Sequence, residues 1–177
     1  MVENEKKLED YICGHQEQFI ETLKSSIKDE DCDIKFLGRQ VRIGKDNIAD
    51  LVYYYDYSFM PPDGIEIKER TYIIVELKFR PLEPKDLSQL ARYMNILEEK
   101  IFHEKKYQEY ETTIKGVFVS FGETKEMQEI SMRDFENISY INFKCDLTFF
   151  NSNWEYTDKY LDEIKLDSRL EQLYKGE

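Results

Sequence analysis

The order of apolar patterns along the chain points to an α/β domain with a mixed central sheet flanked by helices. Three features carry that reading. A helical stripe opens the chain, three β-rich runs follow in succession, and a long helical stripe separates them from a fourth β-rich run. At 177 residues the chain fits one domain over 1–177, large enough for a sizeable core.

Residues 3 to 28 read as helix, because Leu8, Tyr11, Ile12, Phe19, Ile20 and Leu23 fall near the 3.6-residue period. His15 and Gln16 mark a break or bend, and Asp29-Glu30-Asp31 a loop. A strand region starts at Asp33 and continues toward Ile43, where Gly44-Lys45-Asp46-Asn47 makes a turn. Ile48 to Tyr55 is the second strand, rich in β-formers. Met60-Pro61-Pro62-Asp63-Gly64 is a loop signal, so Asp56 to Arg70 reads as a long connection. Thr71 to Lys78 is the third strand, and Tyr72-Ile73-Ile74-Val75 reads as buried on both faces. Pro81 and Pro84 end it. A helix from about Lys85 to Tyr110 follows, with Leu87, Leu90, Ala91, Met94, Leu97 and Ile101 as its stripe. Beyond it come a strand at Ile114–Phe121, a helix at Lys125–Phe135, a strand at Ile138–Phe143 and a C-terminal helix at Asp158–Tyr174.

Composition narrows the function classes. A 14% aromatic share argues against a disordered chain. No apolar run approaches the roughly 18–20 residues of a membrane span, and the polar start lacks a signal-peptide pattern. Cys13, Cys32 and Cys145 are odd in number and far apart, which suits a reducing, cytoplasmic setting. The net charge of −12 argues against a polyanionic partner, but it is unevenly spread. Residues 1–34 carry 4 basic and 10 acidic side chains and residues 107–177 carry 8 and 15, whereas residues 35–106 carry 13 and 12. Any anion-binding surface is expected from that middle block.

One constellation in the middle block carries chemistry. Asp50 interrupts the apolar second strand, where a carboxylate is costly unless paired or metal-bound. Glu76-Leu77-Lys78 ends the third strand, and alternation puts Glu76 and Lys78 on one face. If these strands form a hairpin, Asp50 lies across from Glu76. Two carboxylates and the Leu77 backbone carbonyl then offer oxygen ligands to a hard divalent cation, with Lys78 aimed at the same place. A plain Asp50–Lys78 salt bridge is the bland alternative. Gln89 and Tyr93, at i and i+4, share one face of the long helix, where they either reach that site or pack the helix on the sheet. Arg39, Arg42, Lys45, Arg80 and Lys85 flank it as candidate phosphate contacts. His15 and His103 read as structural or exposed and the three cysteines as core residues, while Phe149, Phe150 and Trp154 read as packing or, if exposed, as stacking on bases.

Asp50, Glu76-Leu77-Lys78 and Gln89-Leu90-Ala91-Arg92-Tyr93 together resemble the PD-(D/E)XK nuclease superfamily. Ala49 stands where the superfamily name has Pro. Gly38-Arg39-Gln40-Val41-Arg42, Val75-Glu76-Leu77-Lys78-Phe79-Arg80 and Leu8-Glu9-Asp10-Tyr11-Ile12 are similar to NucS-like and RecB-type endonuclease domains. The resemblance covers about residues 5–121 and leaves about 122–177 as a C-terminal extension with a strand and a helix. It implies a restriction-endonuclease-like αβββαβ core and a nuclease that hydrolyses phosphodiester bonds, of DNA more than RNA, by a metal-activated water. Asp50, Glu76 and the Leu77 carbonyl would bind Mg²⁺ or Mn²⁺, and Glu9 sits where such enzymes often place an additional acid. Lys78 would assist the water, with Gln89 and Tyr93 in support. A catalytically inactive module of the same fold, binding a protein or nucleic acid, is the alternative that the acidity favours. A homodimer joining two middle blocks, or a partner protein, would supply the DNA grip.

Overall fold

The computed structural model describes residues 2–104, 109–130, 135, 137–143 and 164–165. The opening helical stripe forms two helices, α1 (Val2–Gly14) and α2 (Gln16–Ile27). They divide at His15, whose backbone is non-helical, so the expected break is present. Gly14, a weak helix former, is the last residue of α1. Lys28 closes α2 in the left-handed region, and the N–H groups of Lys28 and Asp29 cap its last carbonyls.

Strands β1 (Lys35–Gly44), β2 (Asn47–Phe59) and β3 (Ile67–Lys78) form an antiparallel meander. Helix α3 (Pro84–His103) then crosses to β4 (Glu111–Ser120), which lies parallel beside β3. After the short α4 (Lys125–Glu129), β5 (Ile138–Asn142) adds in parallel to β4. With the two-residue β6 (Ile164–Lys165), the sheet order is β5-β4-β3-β2-β1-β6. This is the mixed sheet and αβββαβ order expected from the sequence, with the first helix in two pieces.

The sheet is covered on both faces, which explains the nearly unbroken apolar run of β3. On one face Val52, Tyr54, Tyr72, Ile74 and Phe118 pack under Leu87, Leu90, Leu97 and Ile101 of α3. On the other, Tyr53, Tyr55, Ile73, Val75 and Val117 pack under Leu8, Ile12, Phe19 and Leu23 of α1 and α2. Among the described residues no helix is long and apolar enough to cross a membrane.

Four boundaries differ from the sequence expectation. The connection read at Asp56–Arg70 is mostly hairpin: pairing continues from Asp56↔Arg70 to Phe59↔Ile67. Arg70 makes two hydrogen bonds to Asp56, at 2.5 and 2.8 Å, and lies over the Tyr54 and Tyr110 rings, so the pairing has side-chain support that no turn signal reveals. Helix α3 ends at His103, well short of Tyr110, and Glu111–Thr113 instead begin β4 opposite Glu69–Thr71. The two threonines there favour strand over helix. Helix α4 ends at Glu129 because Ile130 turns extended; the rest of the expected helix to Phe135 lies largely outside the described residues. Ile164 and Lys165, expected within the C-terminal helix, are strand, paired in parallel with Val41 and Arg42. The open edge of β1 offers backbone partners that outweigh helical periodicity at these two positions. The remainder of Asp158–Tyr174, together with Cys145, Phe149, Phe150 and Trp154, lies outside the described residues.

Candidate active site

The hairpin register builds the site. The β2/β3 ladder ends at Leu51↔Val75, which leaves Asp50 and Glu76 as the next residues outward, where β2 continues beside β1 and β3 beside β4. On the other side of β2, Arg39↔Leu51 and Val41↔Ala49 bracket Gln40 opposite Asp50. Gln40, Asp50 and Glu76 therefore lie on neighbouring strands, and helices reach them: α1 through Glu9 to Gln40, and α3 through Gln89 to Glu76.

Asp50 is held at both oxygens. The Leu77 N–H donates to Oδ2 at 2.8 Å, and Gln40 Nε2 donates to Oδ1 at 3.3 Å. The same Gln40 nitrogen donates to Glu9 Oε2. Glu76 is 2% exposed. Its Oε2 accepts from Lys78 Nζ at 3.4 Å and from Gln89 Nε2 at 3.3 Å, both long hydrogen bonds. Gln89 Nε2 also lies 2.9 Å from the Tyr93 hydroxyl oxygen. The other Glu76 oxygen, Oε1, is buried with no hydrogen-bond partner.

Burial sets the electrostatics. It pushes the Asp50 carboxyl up, and the Leu77 N–H and Lys78 charge pull back without cancelling it. Burial and then the Asp50 charge push Glu76 well above the ordinary carboxylate range. Burial raises Glu9 to about 7 against the opposing pull of Gln40. Burial also works against the Lys78 ammonium, but the charges of Glu76 and Asp50 outweigh it and hold its pKa above the ordinary value. The cluster thus groups three carboxyls whose ionisation burial opposes beside one ammonium, so added positive charge would favour their ionised forms.

Such a set fits a hard divalent cation: the donors are all oxygen, and one carboxylate oxygen is buried without a partner. Among the described residues no three His, Cys, Asp or Glu side chains converge as a metal cluster. Asp50, Glu76 and a backbone carbonyl such as that of Leu77 are the matching donors, and Glu9 is joined to Asp50 through Gln40.

The structure places Asp50, Glu76, Lys78 and Gln89 side by side, with Glu9 joined through Gln40 and Tyr93 through Gln89. Among the described residues, four of the five cations expected to hold phosphate, all but Lys45, have protein partners. Arg39 pairs with Asp10 at 2.7 Å and Glu9 at 3.7 Å. Arg80 grips both Asp86 oxygens, at 2.7 and 2.8 Å, and Lys85 pairs with Glu83. Arg42 donates to the Lys45 carbonyl at 2.7 Å, within the turn between β1 and β2. Sequence reasoning missed Gln40 as a site residue. Counting back from the turn places it opposite Asp50, but the bulges in β1 obscure which way its side chain points.

No protein-family profile matches the chain, and no curated protein does. Among solved structures it is similar to a repair endonuclease from Pyrococcus abyssi, at 18% identity over 74% of this chain and 46% of that one, with a TM-score of 0.42. It is also similar to EndoMS in a complex with dsDNA, at 19% identity over 70% of this chain and 44% of that one, with a TM-score of 0.39. The MspJI restriction endonuclease in complex with a 27-mer oligonucleotide matches at 18% identity over 77% of this chain and 28% of that one, with a TM-score of 0.37. The chain spans less than half the length of each of these proteins.

Proposed function

We propose that the chain is a divalent-metal-dependent nuclease that hydrolyses phosphodiester bonds of DNA. The single observation that carries this is the partnerless buried Glu76 Oε1 beside Asp50 and Lys78. Such an arrangement is destabilising in isolation and makes sense as a receptor for positive charge. Asp50, Glu76 and the Leu77 carbonyl would hold Mg²⁺ or Mn²⁺. When bound, the ion supplies Lewis-acid stabilisation of the phosphoryl oxygens and lowers the pKa of water.

The chain's own residues do the rest. Lys78, hydrogen-bonded to Glu76, would orient the attacking water or meet charge developing on the phosphate. Gln89 steadies Glu76 from α3, and Tyr93 lies beside the same amide. Glu9 completes the acidic environment from the opposite face.

A second reading, a non-cutting module of the same fold, is favoured by the pairing of Arg39, Arg80 and Lys85 with carboxylates. It leaves few cations to release counterions from DNA. One experiment separates the two. Protein with Mn²⁺ or Mg²⁺ is incubated with labelled single-stranded, double-stranded and branched DNA, with EDTA and Lys78→Ala as controls. Metal-dependent cutting lost in the variant is the expected outcome. An intact protein that cuts none of them overturns the proposal in favour of the binding module or of a nuclease that needs a partner.

A further inference from the structure

Two non-glycine residues among those described have left-handed φ: Lys28, which closes α2, and Gln40, at φ 49° inside β1. The first is an ordinary helix cap. The second is not, because a strand interior calls for extended backbone and glutamine gains nothing from the left-handed region. Such a conformation persists where the surroundings over-determine it.

What Gln40 gains is the direction of its side chain. Its Nε2 donates to Glu9 Oε2 on α1 and to Asp50 Oδ1 on β2. Because the Leu77 N–H already holds Asp50 Oδ2, the Asp50 carboxylate is gripped from both ends. The chemistry of the residue suits the task. An amide offers two hydrogens to two carboxylates without adding charge. A lysine or arginine there would neutralise the acids and compete with a cation, and a glutamate would repel both.

We propose that Gln40 is a positioning residue that sets the Asp50 carboxylate, and couples it to Glu9, for capture of a divalent cation. This rests on the nuclease reading, and the test separates the two. Mn²⁺ is titrated calorimetrically into the wild-type chain, Gln40→Gly and Gln40→Met, with thermal melts of each in EDTA. Glycine removes the amide but relieves the left-handed strain, which offsets part of the lost hydrogen bonding, so that variant is expected to stay folded. Methionine keeps the volume and removes the donors, which provides a second folded variant. Both are expected to bind Mn²⁺ about 10–100-fold more weakly, the usual effect of losing a group that orients a metal ligand. At saturating Mn²⁺ the expected loss in DNA cutting falls on kcat with KM unchanged.

If either folded variant binds Mn²⁺ with wild-type affinity, Gln40 is only a strut between α1 and β1; this inference fails and the nuclease reading stands. If the wild-type chain binds no Mn²⁺, both fall together.

Discussion

Glu76 and Asp86 are two buried acids with opposite fates. Glu76 keeps an oxygen without a partner, and burial and Asp50 hold its carboxyl high. Asp86 is surrounded by donors: Arg80 grips both oxygens, and the Glu83 N–H adds a third bond at 2.9 Å. Burial alone would raise its pKa, but the Arg80 and Glu83 bonds outweigh burial and lower it below 3.8. The stability that Asp86 contributes is therefore full above 3.8 and lost as pH falls through the lower folded value. Asp86→Asn is expected to cost about 1–3 kcal/mol at neutral pH, by weakening charged hydrogen bonds. The difference from wild type should shrink as pH falls below 3.8, in urea melts of both proteins. A gap that stays constant would mean the pair does not set this titration. At this scale the sequence is readable where a period fixes direction. Glu76 and Lys78 follow strand alternation, and Gln89 and Tyr93 follow helical spacing. Gln40 and the pairing of Arg39, Arg80 and Lys85 depend on a backbone inversion and on rotamers, which have no period.

Among the elements, α3 matters most to the site because it carries Gln89 and Tyr93 to Glu76. Its placement depends on a close approach to β4. A Cβ on Gly116 would come within 2.8 Å of Met94 Sδ and 2.9 Å of Leu90 Cδ2. Leu90 is fully buried and has little room to yield. Gly116→Ala is therefore expected to destabilise by about 1–3 kcal/mol through overpacking. It should also reduce cutting more than that stability loss explains, because a displaced α3 moves Gln89 off Glu76. Chemical denaturation beside an activity assay reads both, and an unchanged midpoint would show that α3 is free to shift. The core of α3 was legible because Leu87, Leu90, Leu97 and Ile101 keep one face. Its end was not: the choice between helix and strand near Glu111 is made by pairing with Glu69–Thr71, some forty residues away in the chain. The same reason hid the β2/β3 extension and the pairing of Ile164 and Lys165 with β1.

For the whole molecule the governing number is the net charge of −12. The near-neutral middle block supplies the expected phosphate contacts, yet their partners come partly from the acidic first segment. Arg39 of β1 is held by Asp10 of α1 at 2.7 Å, beside the Glu9–Gln40–Asp50 chain. The charge of each segment shows where the cations lie but not their neighbours, since the packing of α1 on the sheet brings the blocks together. If DNA enters along this face, Asp10 competes with phosphate for Arg39. Asp10→Asn is then expected to tighten binding of duplex DNA several-fold, measured with Ca²⁺ in place of Mg²⁺ so that binding is read without cutting. The slope of log affinity against log salt should steepen by about 0.9, because Arg39 then neutralises one more phosphate. Arg39→Ala in the same background should reverse both changes. Lys68→Ala, remote on the hairpin and paired with Glu109, should change neither. Weaker binding in Asp10→Asn, or an unchanged salt slope, would place the DNA path away from α1 and leave Arg39 a structural tie between α1 and the sheet.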